Sequence, residues 1–342
     1  MGIFVFLPLV LPLTAWPVAR LAEGRLHPRT ATVLLTGVAT VMALCSTVCL
    51  ALLMVVGTAQ LPGNPLPDGW SDPEVRESVP RHEVAGKAAI PVLLVVVGAC
   101  GRVLLRHWRV RWRAHRALAG LPRREVAVLS DAEPYAYALP GGPRDRVVVS
   151  TGLLRCLDAR ERRALFAHER AHLAARHHRH LLLVRLAACA NPFLLPLRTA
   201  VTYTAERWAD EEAAQAVGSR RTVARAIGKA ALVSRDAPTP TLAAFAAPAP
   251  PTPAPPPTPA PPPTPAPPTA FSAFAAGDPP GPLPRRVAAL LGPAPAVRAW
   301  PSLFTTVGLA LWTAATGAVL SALFSANSAV TLLCLLRAAT PL

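Results

Sequence analysis

Lysine is almost missing from this chain: of 35 Lys and Arg residues, only Lys87 and Lys229 are lysines. Acids are scarce as well, 19 Asp and Glu, so the net charge of +16 is carried by arginine. A charge of that size invites a nucleic-acid reading. Zinc-finger and helix-turn-helix spacings are lacking, however, and no aromatics interleave with the basic residues, so nucleic acid is not an expected partner. No C-x-x-C occurs among the six cysteines, which argues against a cysteine-ligated metal and a disulfide framework. Cys45, Cys49, Cys100 and Cys334 lie in apolar stretches, where a thiol acts as a small hydrophobe, and Cys156 and Cys189 stand alone. A basic leader and a small-residue cleavage site are not evident at the start. Residues 2–19, bent by Pro8, Pro12 and Pro17, are therefore read as a first membrane span.

What the chain does have is apolar length. Its 342 residues are 52% hydrophobic, with a mean hydropathy of +0.36, enough for a membrane part plus a soluble part. Further spans are expected at 30–59, at about 87–105 and at 302–324, where Ala326-Asn327-Ser328 marks a potential break before the apolar tail. Arg20, Arg25 and Arg29 form one basic loop, and Arg102 to Arg124 form a second basic run without an acid. The loop at 61–85 carries Asp68, Asp72, Glu74, Glu77 and Glu83. Arginines are retained on the cytoplasmic side, so both basic segments and the soluble part after them are expected inside, with 61–85 outside. Arg285, Arg286 and Arg298 read as the basic flank of the last span. The heavy use of Ala, Arg, Pro and Leu is that of a GC-rich bacterial genome. The expected division is 1–105 with three transmembrane helices, 106–236 as a cytoplasmic domain, 237–284 as a proline-rich disordered linker, and 285–342 as a last transmembrane helix and tail.

The chemistry lies in LFAHERAHLAARHHRH, residues 165–180. Within it His168, Glu169 and His172 form H-E-x-x-H. Positions four apart share one helix face, so both imidazoles can reach one metal ion. Glu169 stands one step round, where it can take a proton from water at the open position. Asp158 and Glu161 make a capping box, and no Gly or Pro interrupts 159–180, so one helix is expected throughout. The plainer alternative is a basic, His-rich surface helix. Upstream, Val126–Leu129, Tyr135–Leu139 and Arg146–Ser150 read as short strands, the last two flanking Pro140-Gly141-Gly142 as a hairpin. An edge of that hairpin can bind a peptide as an added strand.

A catalytic zinc needs a third protein ligand. His178 would complete H-E-x-x-H-x-x-G-x-x-H, but Ala175 replaces the Gly, and a continuing helix would swing His178 about 120° off the line of the other two. His177, His178 and His180 then read as partly solvated. Glu206 is the favoured ligand: Glu206 and Asp210 lie four apart, so Glu206 can bind zinc while Asp210 holds a ligand histidine in its tautomer. An i,i+4 acidic pair on a solvated face is the alternative. Glu211 and Glu212 read as surface charge. With Glu206 as ligand, residues 181–201 cannot cross once; they must turn back at Pro192 and Pro196, or pack inside the protein or along the membrane surface.

The order of spans, basic loop, Tyr135-Ala136-Tyr137-Ala138, Val147-Val148-Val149-Ser150-Thr151-Gly152-Leu153-Leu154, H-E-x-x-H and Glu206-x-x-Ala209-Asp210 resembles the M56 peptidase family. That family includes the BlaR1/MecR1 antibiotic-sensor proteases and is related to the M48 membrane peptidases. The resemblance is strongest over about 125–235. It implies a mainly α-helical integral membrane protein with a cytoplasmic α+β gluzincin-type zinc peptidase domain, a short sheet lying beside the metal helix. It also implies His168, His172 and Glu206 as zinc ligands and Glu169 as general base. The implied substrate is a protein or peptide, in the sensor branch a transcriptional repressor. No extracellular penicillin-binding domain follows the last span, so antibiotic sensing is not expected. A non-catalytic membrane scaffold recruiting partners through the proline tract is the reading from another class.

Overall fold

The computed structural model describes residues 7–61, 63, 67, 70, 82–122, 124–141, 145–235, 282–295, 300 and 302–338. The proline tract and most of the acidic loop lie outside them. In chain order the elements are α1 (Leu7–Val10), a 3-10 turn, α2 (Ala15–Arg25), α3 (Pro28–Thr58), α4 (His82–Ala117), β1 (Val126–Leu129), β2 (Ala136–Leu139), β3 (Arg146–Ser150), α5 (Thr151–Cys156), α6 (Ala159–Ala174), α7 (His177–Ala190), a second 3-10 turn, α8 (Leu195–Val217), α9 (Arg220–Arg235), α10 (Pro282–Leu291) and α11 (Thr306–Ala338).

Among the described residues three helices are long and apolar enough to cross a membrane: Pro28–Thr58, Val84–Ala117 and Thr306–Ala338. The expected span at 2–19 is not among them. From Leu7 onward it is broken into α1, a 3-10 turn over Leu11–Thr14 and α2, because Pro12 and Pro17 withhold backbone donors from a regular ladder. The later expectations also shift. α4 runs past residue 105 through the basic run, and α11 passes through Asn327 unbroken.

The chain divides into two compact units. The first comprises Met1–Trp108, His172–Ala209 and Pro295–Leu342. Its main core joins Leu35 and Met42 of α3 with Ala19 and Ala22 of α2, Val184 and Ala187 of α7, Leu197 and Val201 of α8, and Leu311 of α11. Residues 177–217 run as α7, a bend at Asn191 and Pro192, then α8. Asn191 is 5% exposed; its amide donates to Ser46 Oγ at 3.0 Å, and Ser46 donates to the Pro8 carbonyl at 2.8 Å. Its side-chain oxygen accepts from Phe193 N at 3.0 Å, satisfying the turn it begins. Thr32 and Thr204 meet at 2.9 Å, tying α3 to α8 by buried hydroxyls. A second apolar cluster joins Leu53 and Val56 of α3 to Ala89 and Leu93 of α4. There a methyl at Gly57 would lie 2.2 Å from the Gly86 carbonyl carbon, so the two backbones touch.

The second unit comprises Arg109–Ala171 and Asp210–Ala294. Its three-stranded sheet has the order β1-β3-β2. β2 and β3 form the expected antiparallel pair, with Tyr137 opposite Val148. β1 pairs parallel to β3 on its other side, Ala127 opposite Val148, an arrangement the hairpin pattern does not foretell. Val147, Val148 and Val149 are fully buried, as a central strand covered on both faces requires. Ser150 ends β3 and caps α5, accepting from Leu153 N at 3.2 Å and from Tyr135 N at 3.0 Å. A helical cluster of Ala164, Ala213, Ala214, Val223, Ala224 and Leu290 joins α6, α8, α9 and α10.

Gly86→Leu should force α3 and α4 apart and lower stability by about 1–3 kcal/mol, the usual cost of overpacking. Gly98→Leu, where an added Cβ meets nothing within 4 Å, should not. Thermal melting in detergent distinguishes the two.

Candidate metal centre

α6 begins with the reciprocal box its sequence announces. Asp158 Oδ1 accepts from Arg160 N and Glu161 N, each at 2.8 Å, and Glu161 Oε2 accepts from Asp158 N at 2.9 Å. Lys229 of α9 donates to the same Glu161 oxygen at 2.8 Å. This fixes where the helix starts and therefore which face carries His168 and His172. His168 is 5% exposed and Glu169 is 1% exposed.

The helix does not continue to His180 as expected. It stops at Ala174, and Arg176 takes a left-handed conformation, φ 51° and ψ 41°, before α7 starts at His177. An L-residue there costs roughly 1–2 kcal/mol. The bend buries His177, which is 1% exposed and not partly solvated. His177 Nδ1 lies 2.9 Å from His172 Nδ1, and its ring stacks edge-on against both His172 and Trp208 at 4.7 Å. Trp208 in turn carries the Arg29 guanidinium 5.4 Å above its ring. His178 is half-buried and takes no part in the metal-ligand group described next.

α8 presents Glu206 and Asp210. Glu206 Oε1 lies 3.5 Å from His172 Nε2, and Asp210 Oδ1 lies 3.1 Å from His168 Nδ1. One ligand atom each from His168, His172 and Glu206 falls within 4.8 Å of the others. Tetrahedral zinc with bonds of about 2.0–2.1 Å wants donors roughly 3.3 Å apart, so the three atoms would draw together by up to about 1.5 Å on binding it. Two imidazoles and a carboxylate are a donor set suited to zinc. The other ring nitrogen of each candidate histidine is also engaged, His168 by Asp210 and His172 by His177. Such partners fix ring orientation and tautomer.

Asp210 is fully buried. Arg286 of α10 grips it with two bonds, Nε to Oδ2 at 2.9 Å and Nη2 to Oδ1 at 2.7 Å. Burial disfavours the charged form, but the Arg286 charge and hydrogen bond, with His168, hold the Asp210 carboxyl below its ordinary value. Arg286 is thus not a flank of the last span. It is 9% exposed and belongs to the second unit. Glu211 is likewise no surface charge: it is 5% exposed and accepts from Arg220 at 2.8 Å. Arg220 also donates to the carbonyls of Ala289 and Gly292, at 2.8 and 2.7 Å, closing the end of α10. Arg286 and His177 are the residues that sequence reasoning missed. A signal for the first exists in Val287 and Leu290, an apolar i,i+3 pair beside the arginine.

The pattern of Peptidase family M48 matches residues 109–187, which include His168, Glu169 and His172. Together with the apolar helices, this match supports an M48-type membrane metallopeptidase. Among curated proteins, the chain is similar to Protease HtpX homolog from Ralstonia nicotianae (strain ATCC BAA-1114 / GMI1000), 39% identical over 71 residues, 20% of this chain and 24% of that protein. It is similar to Protease HtpX homolog from Prosthecochloris aestuarii (strain DSM 271 / SK 413), 35% identical over 91 residues, 26% of this chain and 30% of that one. The chain therefore spans about a quarter of the length of the curated relatives it matches. No solved structure matches.

Two outcomes follow from this geometry. His177→Phe keeps the ring but removes the partner of His172 Nδ1; zinc affinity, measured by competition with a chelator, should fall about 10–100-fold. The Asp210 pair should stabilise the metal-free chain fully at neutral pH. That contribution should persist down to about pH 4, near the unfolded carboxyl's pKa, and be lost as pH falls further through the depressed folded value. Asp210→Asn should cost about 3 kcal/mol at pH 7, with the gap to the parent closing below about pH 4 in denaturant titrations under chelator.

Proposed function

We propose that this chain is an integral membrane zinc endopeptidase that hydrolyses protein or peptide bonds on the cytoplasmic side. The observation that carries this reading is the His168, His172 and Glu206 group, with ligand atoms within 4.8 Å and the buried Glu169 beside it on α6. His168, His172 and Glu206 would hold the metal, and Asp210 and His177 would keep the two rings in register. Zinc, when bound, supplies a Lewis acid that polarises the scissile carbonyl and acidifies water. Glu169 accepts the proton that water gives up as its oxygen adds to the carbonyl carbon. It then returns that proton to the nitrogen as the C–N bond breaks, so the products are a carboxylic acid and an amine. Burial of Glu169 keeps bulk water from competing for this proton.

The cytoplasmic assignment rests on the arginine-rich segments at 20–29 and 102–124, and the turn at Asn191 and Pro192 suits a segment that enters and returns on one side. The domain limits 1–105, 106–236, 237–284 and 285–342 belong to the same proposal, amended in that α10 packs with the peptidase unit. A narrower reading, an M56-type protease cutting one repressor, rests on the motifs at 135–154 and 206–210.

Glu169→Gln should retain one zinc per chain while hydrolysis of an unfolded protein substrate falls at least 10²-fold. Unchanged hydrolysis in that variant would rule out the general-base role, and a parent chain without zinc would rule out the enzyme.

A further inference from the structure

Helix α10 follows the proline tract, far in sequence from the metal helix, yet Arg286 grips a carboxylate that touches His168. We propose that Arg286 is a positioning residue for the metal centre, holding Asp210 in the one orientation that fixes the His168 ring. This deepens the zinc-peptidase reading and rests on it.

The argument is geometric. Asp210 Oδ1 serves two neighbours at once, Arg286 Nη2 at 2.7 Å and His168 Nδ1 at 3.1 Å. Oδ2 is taken by Arg286 Nε at 2.9 Å. A carboxylate gripped on both oxygens by a planar fork cannot rotate about its terminal bond without losing a charge-assisted hydrogen bond. The plane of the guanidinium therefore dictates the plane of the carboxylate, and the shared oxygen dictates where the imidazole N–H must point. A lysine offers the same charge from a single point and leaves that rotation open. Asp210 is fully buried, so water cannot replace the missing arm.

α10 is anchored independently of this pair. Leu290 is 2% exposed in the cluster with Val223, Ala224 and Ala213, and Arg220 holds the helix's last carbonyls. Loosening the helix and loosening the carboxylate are therefore separable. Leu290→Ala weakens the docking of α10 and touches neither Asp210 nor His168.

The test is made on the full-length chain in detergent. Zinc affinity is measured by chelator competition, the visible spectrum is recorded on the Co²⁺-loaded form, and the melting point is taken without metal. Arg286→Lys should lower zinc affinity about tenfold or more and alter the Co²⁺ spectrum. Leu290→Ala should lower the melting point and leave both metal readouts near the parent's. If Arg286→Lys does not accumulate, Arg286→Gln carries the same comparison. The proposal is overturned if the Arg286 variants bind zinc and Co²⁺ as the parent does. Equal metal loss from Leu290→Ala at equal loss of stability overturns it too. A parent chain that binds no zinc instead defeats the enzyme reading itself, so the two failures are told apart.

Discussion

A carboxylate without exposed surface, that of Asp210, is held between a guanidinium and an imidazole. Ionised and alone, the buried Asp210 would be costly by several kcal/mol. With Arg286 bidentate on it and His168 at 3.1 Å, its oxygens have partners on both sides. Separate contacts hold the elements around it. The capping box and Lys229 fix the start of α6 and hence the azimuth of His168. The alanines of α8 and α9 let helices approach closely around Ala164 and Leu290. Arg220 ties the end of α10 and Glu211 together.

Legibility in the sequence followed the range of the interaction. The capping box, the pair of histidines four apart and the hairpin around Pro140-Gly141 are short-range features, and they stand in the structure where the pattern put them. The stop of α8 at Val217 is set just as locally, by Gly218 at φ +71°. Parallel pairing of β1 with β3 was not legible, because alternation within a strand carries no information about its neighbour. Arg286 was illegible for a related reason. In composition it looks like the basic flank of an apolar helix, and only a contact spanning 76 residues shows otherwise. The break before His177 was missed because propensity favours helix through Ala174, Ala175 and Arg176, and burial of His177 and its contacts with His172 and Trp208 outweigh it.

The membrane-type unit shows how polar groups are accommodated in an apolar core. Thr32, Thr36, Thr40, Thr47 and Thr58 each donate their hydroxyl to a carbonyl four residues back, so none needs an outside acceptor. Asn191 donates to Ser46, and Ser46 to the Pro8 carbonyl, where the chain turns between α7 and α8. An amide at a bend is costly in such a setting unless both its ends are engaged, and here they are. The bend matters to the site because α8 leaves it toward Glu206.

The left-handed arginine at the end of α6 limits how this stretch can drift. Gly, Asn or Asp would sit at position 176 with less strain, whereas valine, isoleucine or proline would not adopt its backbone at all. Nor can the kink migrate along the chain: moving it by one residue would turn His177 by about 100° and withdraw its ring from His172. Among diverged relatives, therefore, the spacing from His172 to this kink should tolerate neither insertion nor deletion, even where the residues between are free to vary.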